Sequence, residues 1–230
     1  FAARALGSTD AKADLILPFF KNIAYPLGAW GFITLSFFVI VGTSHAVNLT
    51  DGLDGLAAGI IGIGSLAFFA LSYQLAVEKG FDLATTATLV TAILAGLCLG
   101  FLPHNFNPAR IFMGDSGSML AGLLLSASVI TLAGKLDPYA VDDASLLAPL
   151  MPLLLPFAVL AVPLVDLMLA VVRRTGARRS PFAPDKQHLH HRMLEIGHSH
   201  RRAVFILCLW AALISFGTVV ISLYTGPAMW

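Results

Sequence analysis

Six stretches of mostly apolar residues, each close to the length of a membrane crossing, dominate the chain: 28–47, 55–77, 85–103, 117–134, 148–172 and 203–225. A transmembrane helix needs about 20 such residues. In hydrocarbon every backbone N–H and C=O must be satisfied within the segment itself, so runs of this kind fold as helices. The fifth carries Pro152, Pro156 and Pro163 and predicts kinks. Composition agrees: 57% of the 230 residues are apolar and only 12% charged, with a mean hydropathy of +0.83. A soluble domain carries about 25% charge. The expectation is an all-α, polytopic membrane protein in a single membrane domain, 1–230. Residues 15–27, apolar but broken by Pro18, Lys21 and Pro26, read as an interfacial or re-entrant piece. The first 14 residues, which start Phe-Ala-Ala-Arg, have no long apolar stretch after a basic start and do not read as a signal peptide. Cys98 and Cys208 both lie in apolar runs without ligand spacing, which argues against a disulfide framework or a zinc finger. A net charge of +1 gives no global field for nucleic acid.

The cations orient the chain. Eight of the 14 Lys and Arg fall between Arg173 and Arg202. Cytoplasmic loops carry such an excess, which places 173–202 inside. Alternation of the six spans then puts 48–54 and 104–116 on the same cytoplasmic face. The loops 78–84 and 135–147 and the first 27 residues fall outside.

Those three inner segments hold the unusual polar residues. NLTDGLDGL, Asn48 to Leu56, spaces Asp51 and Asp54 three apart, on one face if helical. Asn48 and Thr50 are placed to cap a helix. A capped helix end is one reading. Two carboxylates beside hydrocarbon favour the other, a functional cavity. HNFNPARIFMGDSGS, His104 to Ser118, sets Asp115 among glycines, either as a tight turn with a helix cap or as a seat for Mg²⁺. Mg²⁺ favours one or two carboxylates plus substrate phosphates. Phe112 at the same mouth is a ring on which a base can stack. The loop Arg173–Arg202 holds five of the seven histidines, among them His188, His190 and His191 beside Arg192. A headgroup anchor and a zinc site compete there with a phosphate clamp, for which Arg and His donors are suited. Metal-binding carboxylates, phosphate-binding cations and an aromatic ring beside a bilayer form the inventory for phosphoryl transfer to a lipid.

NLTDGLDGLAAG, NFNPARIFMGDSGSMLAG and SPFAPDKQHLHHRMLEIGHSHRRAV occur in the order found in the polyprenyl-phosphate N-acetylhexosamine-1-phosphate transferases, the MraY/WecA superfamily. The chain resembles that family over about residues 28–225. Residues 29–57 are most similar to the phospho-N-acetylmuramoyl-pentapeptide transferase branch. From Asn105 onward, and above all in HLHHRMLEIGHSHRR, the chain resembles the actinobacterial GlcNAc-1-phosphate transferase branch. The resemblance implies a fold of ten or eleven helices, of which this chain lacks the N-terminal ones and an early Asp-Asp pair. Asp10 and Asp14 are isolated, and Asp142-Asp143 falls on the outer side.

The resemblance also implies roles. Asp115 is the metal ligand, for Mg²⁺ or in its place Mn²⁺, and is grouped with Asp51 and Asp54 as catalytic. Asn48, Asn105, Phe112, His188, His190, His191 and Arg192 bind substrate. The partners are a UDP-sugar, a polyprenyl phosphate and the bilayer, with no nucleic acid, and a homodimer is common in the family. The implied reaction is transfer of GlcNAc-1-phosphate from UDP-GlcNAc to the lipid with release of UMP. It is the first membrane step of envelope polysaccharide synthesis, on the cytoplasmic face of a bacterial plasma membrane. Lipid I synthesis, an inactive fragment and a membrane binding or transport module are the alternatives.

Overall fold

The computed structural model describes residues 14–16, 24–26, 28–78, 84–133, 158, 161–178, 180 and 189–224. Helices dominate them: α1 (Gly28–Thr50), α2 (Leu56–Glu78), α3 (Thr85–Asn105), α4 (Gly114–Ala133), α5 (Ala161–Gly176), α6 (Leu189–Glu195) and α7 (His200–Tyr224). Among the described residues five helical segments are long and apolar enough to cross a membrane: Gly28–Thr50, Leu56–Val77, Thr85–Asn105, Gly114–Leu132 and His200–Ser222. The protein is a polytopic, helical membrane protein. Of the fifth expected span, 148–172, the part before 161 lies outside the described residues except Ala158, and α5 carries the rest on to Gly176.

One feature departs from the all-α expectation. Within the stretch read as interfacial or re-entrant, β1 (Asp14–Ile16) pairs antiparallel with β2 (Ala24–Pro26), Leu15 opposite Tyr25. Proline and lysine interrupt any helix there, and a short ribbon satisfies the backbone instead. Pro26 ends its strand, where a missing N–H costs least.

α2 is the central helix, packed against α3 and α7, while α1 lies along α4. Lipid offers no hydrophobic drive between helices, so close approach must come from small residues. At Gly122 an added Cβ would stand 2.7 Å from the Cα of Ser44, so α4 touches the backbone of α1. On α2 the Cβ positions of Gly59 and Gly62 fall 2.7 Å from the Cys208 Sγ and 3.1 Å from the Cys98 Cβ. Both thiols are free, as their spacing implied. A large core runs through α1 to α4 around Phe68 and Leu125. A smaller one gathers Leu53, Leu56 and Ile60 with Ala203, Val204 and Leu207 of α7.

Candidate functional site

The repeat Asp-Gly-Leu-Asp-Gly-Leu forms the turn between α1 and α2. Leu53 and Leu56 are 6% and 1% exposed and point into the smaller core. Sinking the two leucines leaves the aspartates half-buried on the other side of the turn. Gly55 has φ +84°, and a Cβ there would meet the Phe106 ring at 3.0 Å, so two constraints require glycine. Residues 51–55 are turn and not helix. The shared face of Asp51 and Asp54 therefore comes from the turn and not from helical spacing. The expected caps also act otherwise. Thr50 Oγ1 donates back to Ala46 O at 2.8 Å, and Asn48 Oδ1 accepts from Ser118 Oγ of α4 at 2.5 Å.

The segment after α3 folds back over that turn. Arg110 N and Ile111 N both donate to His104 O, at 2.8 and 3.2 Å. Asn105 is 2% exposed and has both ends of its amide engaged. Its Oδ1 accepts from Gly55 N at 3.0 Å, and its Nδ2 donates to Ile111 O at 3.0 Å. Asp54 Oδ2 accepts from Asn107 Nδ2 at 3.0 Å and from Ala109 N at 3.2 Å. The Asn107-Pro108 peptide is cis.

Gly114, at φ +67°, then starts α4, and Asp115 sits exposed in the first turn. A carboxylate suits a helix N-terminus. The Gly114 backbone N–H acts on the Asp51 carboxylate and favours its charged form. Burial, then the charges of Asp115 and Asp54, push the Asp51 carboxyl from its ordinary 3.8 up to about 6, against the lowering effect of that N–H. Asp51 therefore feels both its turn neighbour Asp54 and Asp115, about sixty residues on in sequence. Beside them Phe112 is 72% exposed and lies outside every span, an apolar ring with no core to enter.

The third segment reaches the same place through packing. Met193 and Leu194 of α6 pack on the core that seats Leu53 and Leu56. Gly197, at φ +100°, ends α6: its N–H bonds Leu194 O at 3.0 Å and that of His198 bonds Met193 O at 3.1 Å. This is the paired closure that favours glycine after a helix. Arg192 is exposed on α6. His190 and His191 belong to α6, but their side chains, and His188 entirely, lie outside the described residues.

Three residues here are not singled out by sequence alone, although Asn107 and Arg201 lie inside the quoted motifs. Asn107 and Arg201 matter through contacts with distant backbone and side chains. Asp166 of α5 is only 6% exposed. Its signal was present: it is a lone carboxylate inside an apolar run.

What fold and site define is a helical membrane protein in which the 104–113 segment and helix α6, bearing Arg192, meet at one acidic turn. The chain belongs to glycosyl transferase family 4, whose profile matches residues 1–133. It is 52% identical over 196 residues to a decaprenyl-phosphate N-acetylglucosaminephosphotransferase of Mycobacterium tuberculosis, covering 85% of this chain and 48% of the relative. The protein of that name from Mycolicibacterium smegmatis is 52% identical over 186 residues, 80% of this chain and 46% of the relative. A probable undecaprenyl-phosphate N-acetylglucosaminyl 1-phosphate transferase of Bacillus subtilis is 37% identical over 216 residues, 93% of this chain and 54% of the relative. The chain spans about half the length of these curated relatives.

Proposed function

We propose that the chain forms part of an enzyme that transfers GlcNAc-1-phosphate from UDP-GlcNAc to a polyprenyl phosphate at the cytoplasmic face of the membrane. The observation that carries the reading is the fold of the 104–113 segment over the Asp51–Leu56 turn, where Asp54 accepts from Asn107 Nδ2 and Ala109 N, and Asp51 lies within the field of Asp54 and Asp115. The names of the relatives support GlcNAc over a muramoyl-pentapeptide as the transferred sugar.

In this reading a phosphate oxygen of the lipid attacks the sugar-attached phosphorus of UDP-GlcNAc. The bond from that phosphorus to the bridging oxygen breaks, and UMP leaves with the electron pair. The nucleophile is already ionised at neutral pH, so no side chain has to remove a proton.

Among the described residues no three ligating side chains gather into a ready-made metal cage. The donor set still fits Mg²⁺ or Mn²⁺, because Mg²⁺ takes one or two carboxylates and completes its shell with water and phosphate. An exposed Asp115 next to an Asp51 held up at about 6 by burial and neighbouring negative charge is such a pair. When bound there, the ion neutralises the charge of the diphosphate.

Asp115 and Asp51 hold the metal end of the substrate, and Phe112 receives the uracil ring. Arg192 and the histidines of α6 take the phosphates and sugar. Asp54, Asn48 and Asn105 bond protein groups and position the loop; they need not touch substrate.

Asp115→Asn in the whole protein is expected to lower UMP release by about a thousandfold, on the scale of losing a group that meets transition-state charge, with an unchanged melting temperature in detergent. Near-normal turnover refutes the metal role. A panel of UDP-GlcNAc against UDP-MurNAc-pentapeptide decides the donor. Solute uptake into proteoliposomes without UMP release returns the transport alternative.

A further inference from the structure

Arg201 stands in the first turn of α7 and is exposed. Its Nε donates to the backbone carbonyl of Asn107 at 2.9 Å, across 94 positions of sequence. The side chain of the same Asn107 donates to Asp54 Oδ2 at 3.0 Å, and the charge of Asp54 acts on Asp51. One asparagine therefore separates this guanidinium from the acidic cluster.

A guanidinium carries five N–H donors, and the Asn107 carbonyl takes one. That carbonyl is neutral, so the bond orients the cation without compensating its charge. Among the described residues this is the whole of the bonding of Arg201, and no carboxylate pairs with it. A cation held one residue away from Asp54, through Asn107, yet paired with no carboxylate among the described residues, is arranged for a ligand that needs both signs. An arginine pinned at Nε keeps a planar fork of Nη donors, the shape that grips two phosphate oxygens at once.

We infer that Arg201 is a phosphate-binding residue of this site, anchored by the Asn107 carbonyl and presenting its Nη fork to the diphosphate of a nucleoside diphosphate compound. The inference rests on the proposed function and adds to it a residue of the same HLHHRMLEIGHSHRR segment to which sequence alone assigns no role. Loop 106–113 thereby does two things at once, displaying Phe112 and aiming the arginine.

The test compares UDP with uridine, titrated calorimetrically into the whole protein in detergent at fixed ionic strength with Mg²⁺ present. Arg201→Gln is expected to weaken UDP by about tenfold or more, the scale of a lost charge-assisted hydrogen bond, and to leave uridine within about twofold. Arg201→Lys, which keeps the charge without the fork, recovers part of the loss. Retained uridine binding shows that the variant is folded. Equal weakening of uridine and UDP makes Arg201 a clamp for the loop and overturns the inference. So does a glutamine variant that matches the unsubstituted protein on UDP. If the unsubstituted protein binds neither compound, the proposed function falls and this inference with it.

Discussion

The hydrocarbon slab and the acidic face use side-chain hydrogen bonds in opposite ways. In the slab the hydroxyls turn back on their own helices: Thr91 donates to Ala87 O at 2.7 Å, Ser128 to Leu124 O and Thr218 to Ile214 O. At the face the bonds reach across the chain, joining Gly55 to Asn105, Asn107 to Asp54, Ser118 to Asn48 and Arg201 to Asn107. Between helices in the slab it is the fit of glycines against backbone and thiols that stands out. At the face, specific donors meet specific acceptors. Shape alone suffices where one helix slides along another, but a site of separated loops needs its pairings specified.

This contrast is open to attack on either side. The largest effect is expected in the slab from Gly122→Val, whose branched side chain begins 2.7 Å from the Cα of Ser44 and 3.1 Å from the Thr43 carbonyl. Neither neighbour is a flexible side-chain tip, so the loss should reach about 3 kcal/mol, the upper end for overpacking. Thermal unfolding in detergent measures it; a change within error would mean that the α1–α4 contact does not hold the slab together. A smaller loss is expected at the face from Asn105→Ala, which strands the Gly55 N–H and the Ile111 carbonyl. The cost is about 1–3 kcal/mol. Thr91→Val, which removes only a bond within one helix, should cost clearly less in the same assay. Equal losses from the two would erase the distinction between slab and face.

The smallest effect concerns pH. The folded carboxyl of Asp51 titrates at about 6 against an ordinary 3.8. Between these values the folded state holds more protons than the unfolded one, so stability falls as pH rises through the window. Without divalent cations the melting temperature should therefore drop slightly from pH 4 to pH 6, on top of other titrations, and Asp51→Asn should flatten that part of the slope. Identical slopes for the two proteins would show that burial and acidic neighbours do not raise the Asp51 carboxyl.

Much of the scaffold was readable from hydropathy. The ends of α1 to α4 and α7 fall within three residues of the apolar runs that announce them. Among the differences, α4 begins at Gly114 and not at 117, taking the polar GDS segment into its first turn. The acidic cluster was legible in part, because glycine-flanked aspartates near membrane ends are costly and rarely idle. The division of labour inside it was not. That Asn105 is buried with both ends used, while Phe112 is left bare, depends on how residues 104–113 fold over a turn fifty positions earlier. No local pattern encodes a partner at that distance. Asn48 reads as a helix cap for the same reason, since its real partner, Ser118, is 70 positions away.

The shared footing of the acidic turn and helix α6 has a mechanical consequence. Leu53 and Leu56 anchor the one, Met193 and Leu194 rest the other on the same cluster, and Ala203 and Val204 of α7 form its floor. The acidic turn and the helix bearing Arg192 thus stand on a common plinth, like two jaws of a vice bolted to one bed. Prising one jaw away disturbs the bed and so misaligns the other, which ties the alignment of both to a handful of greasy side chains beneath them.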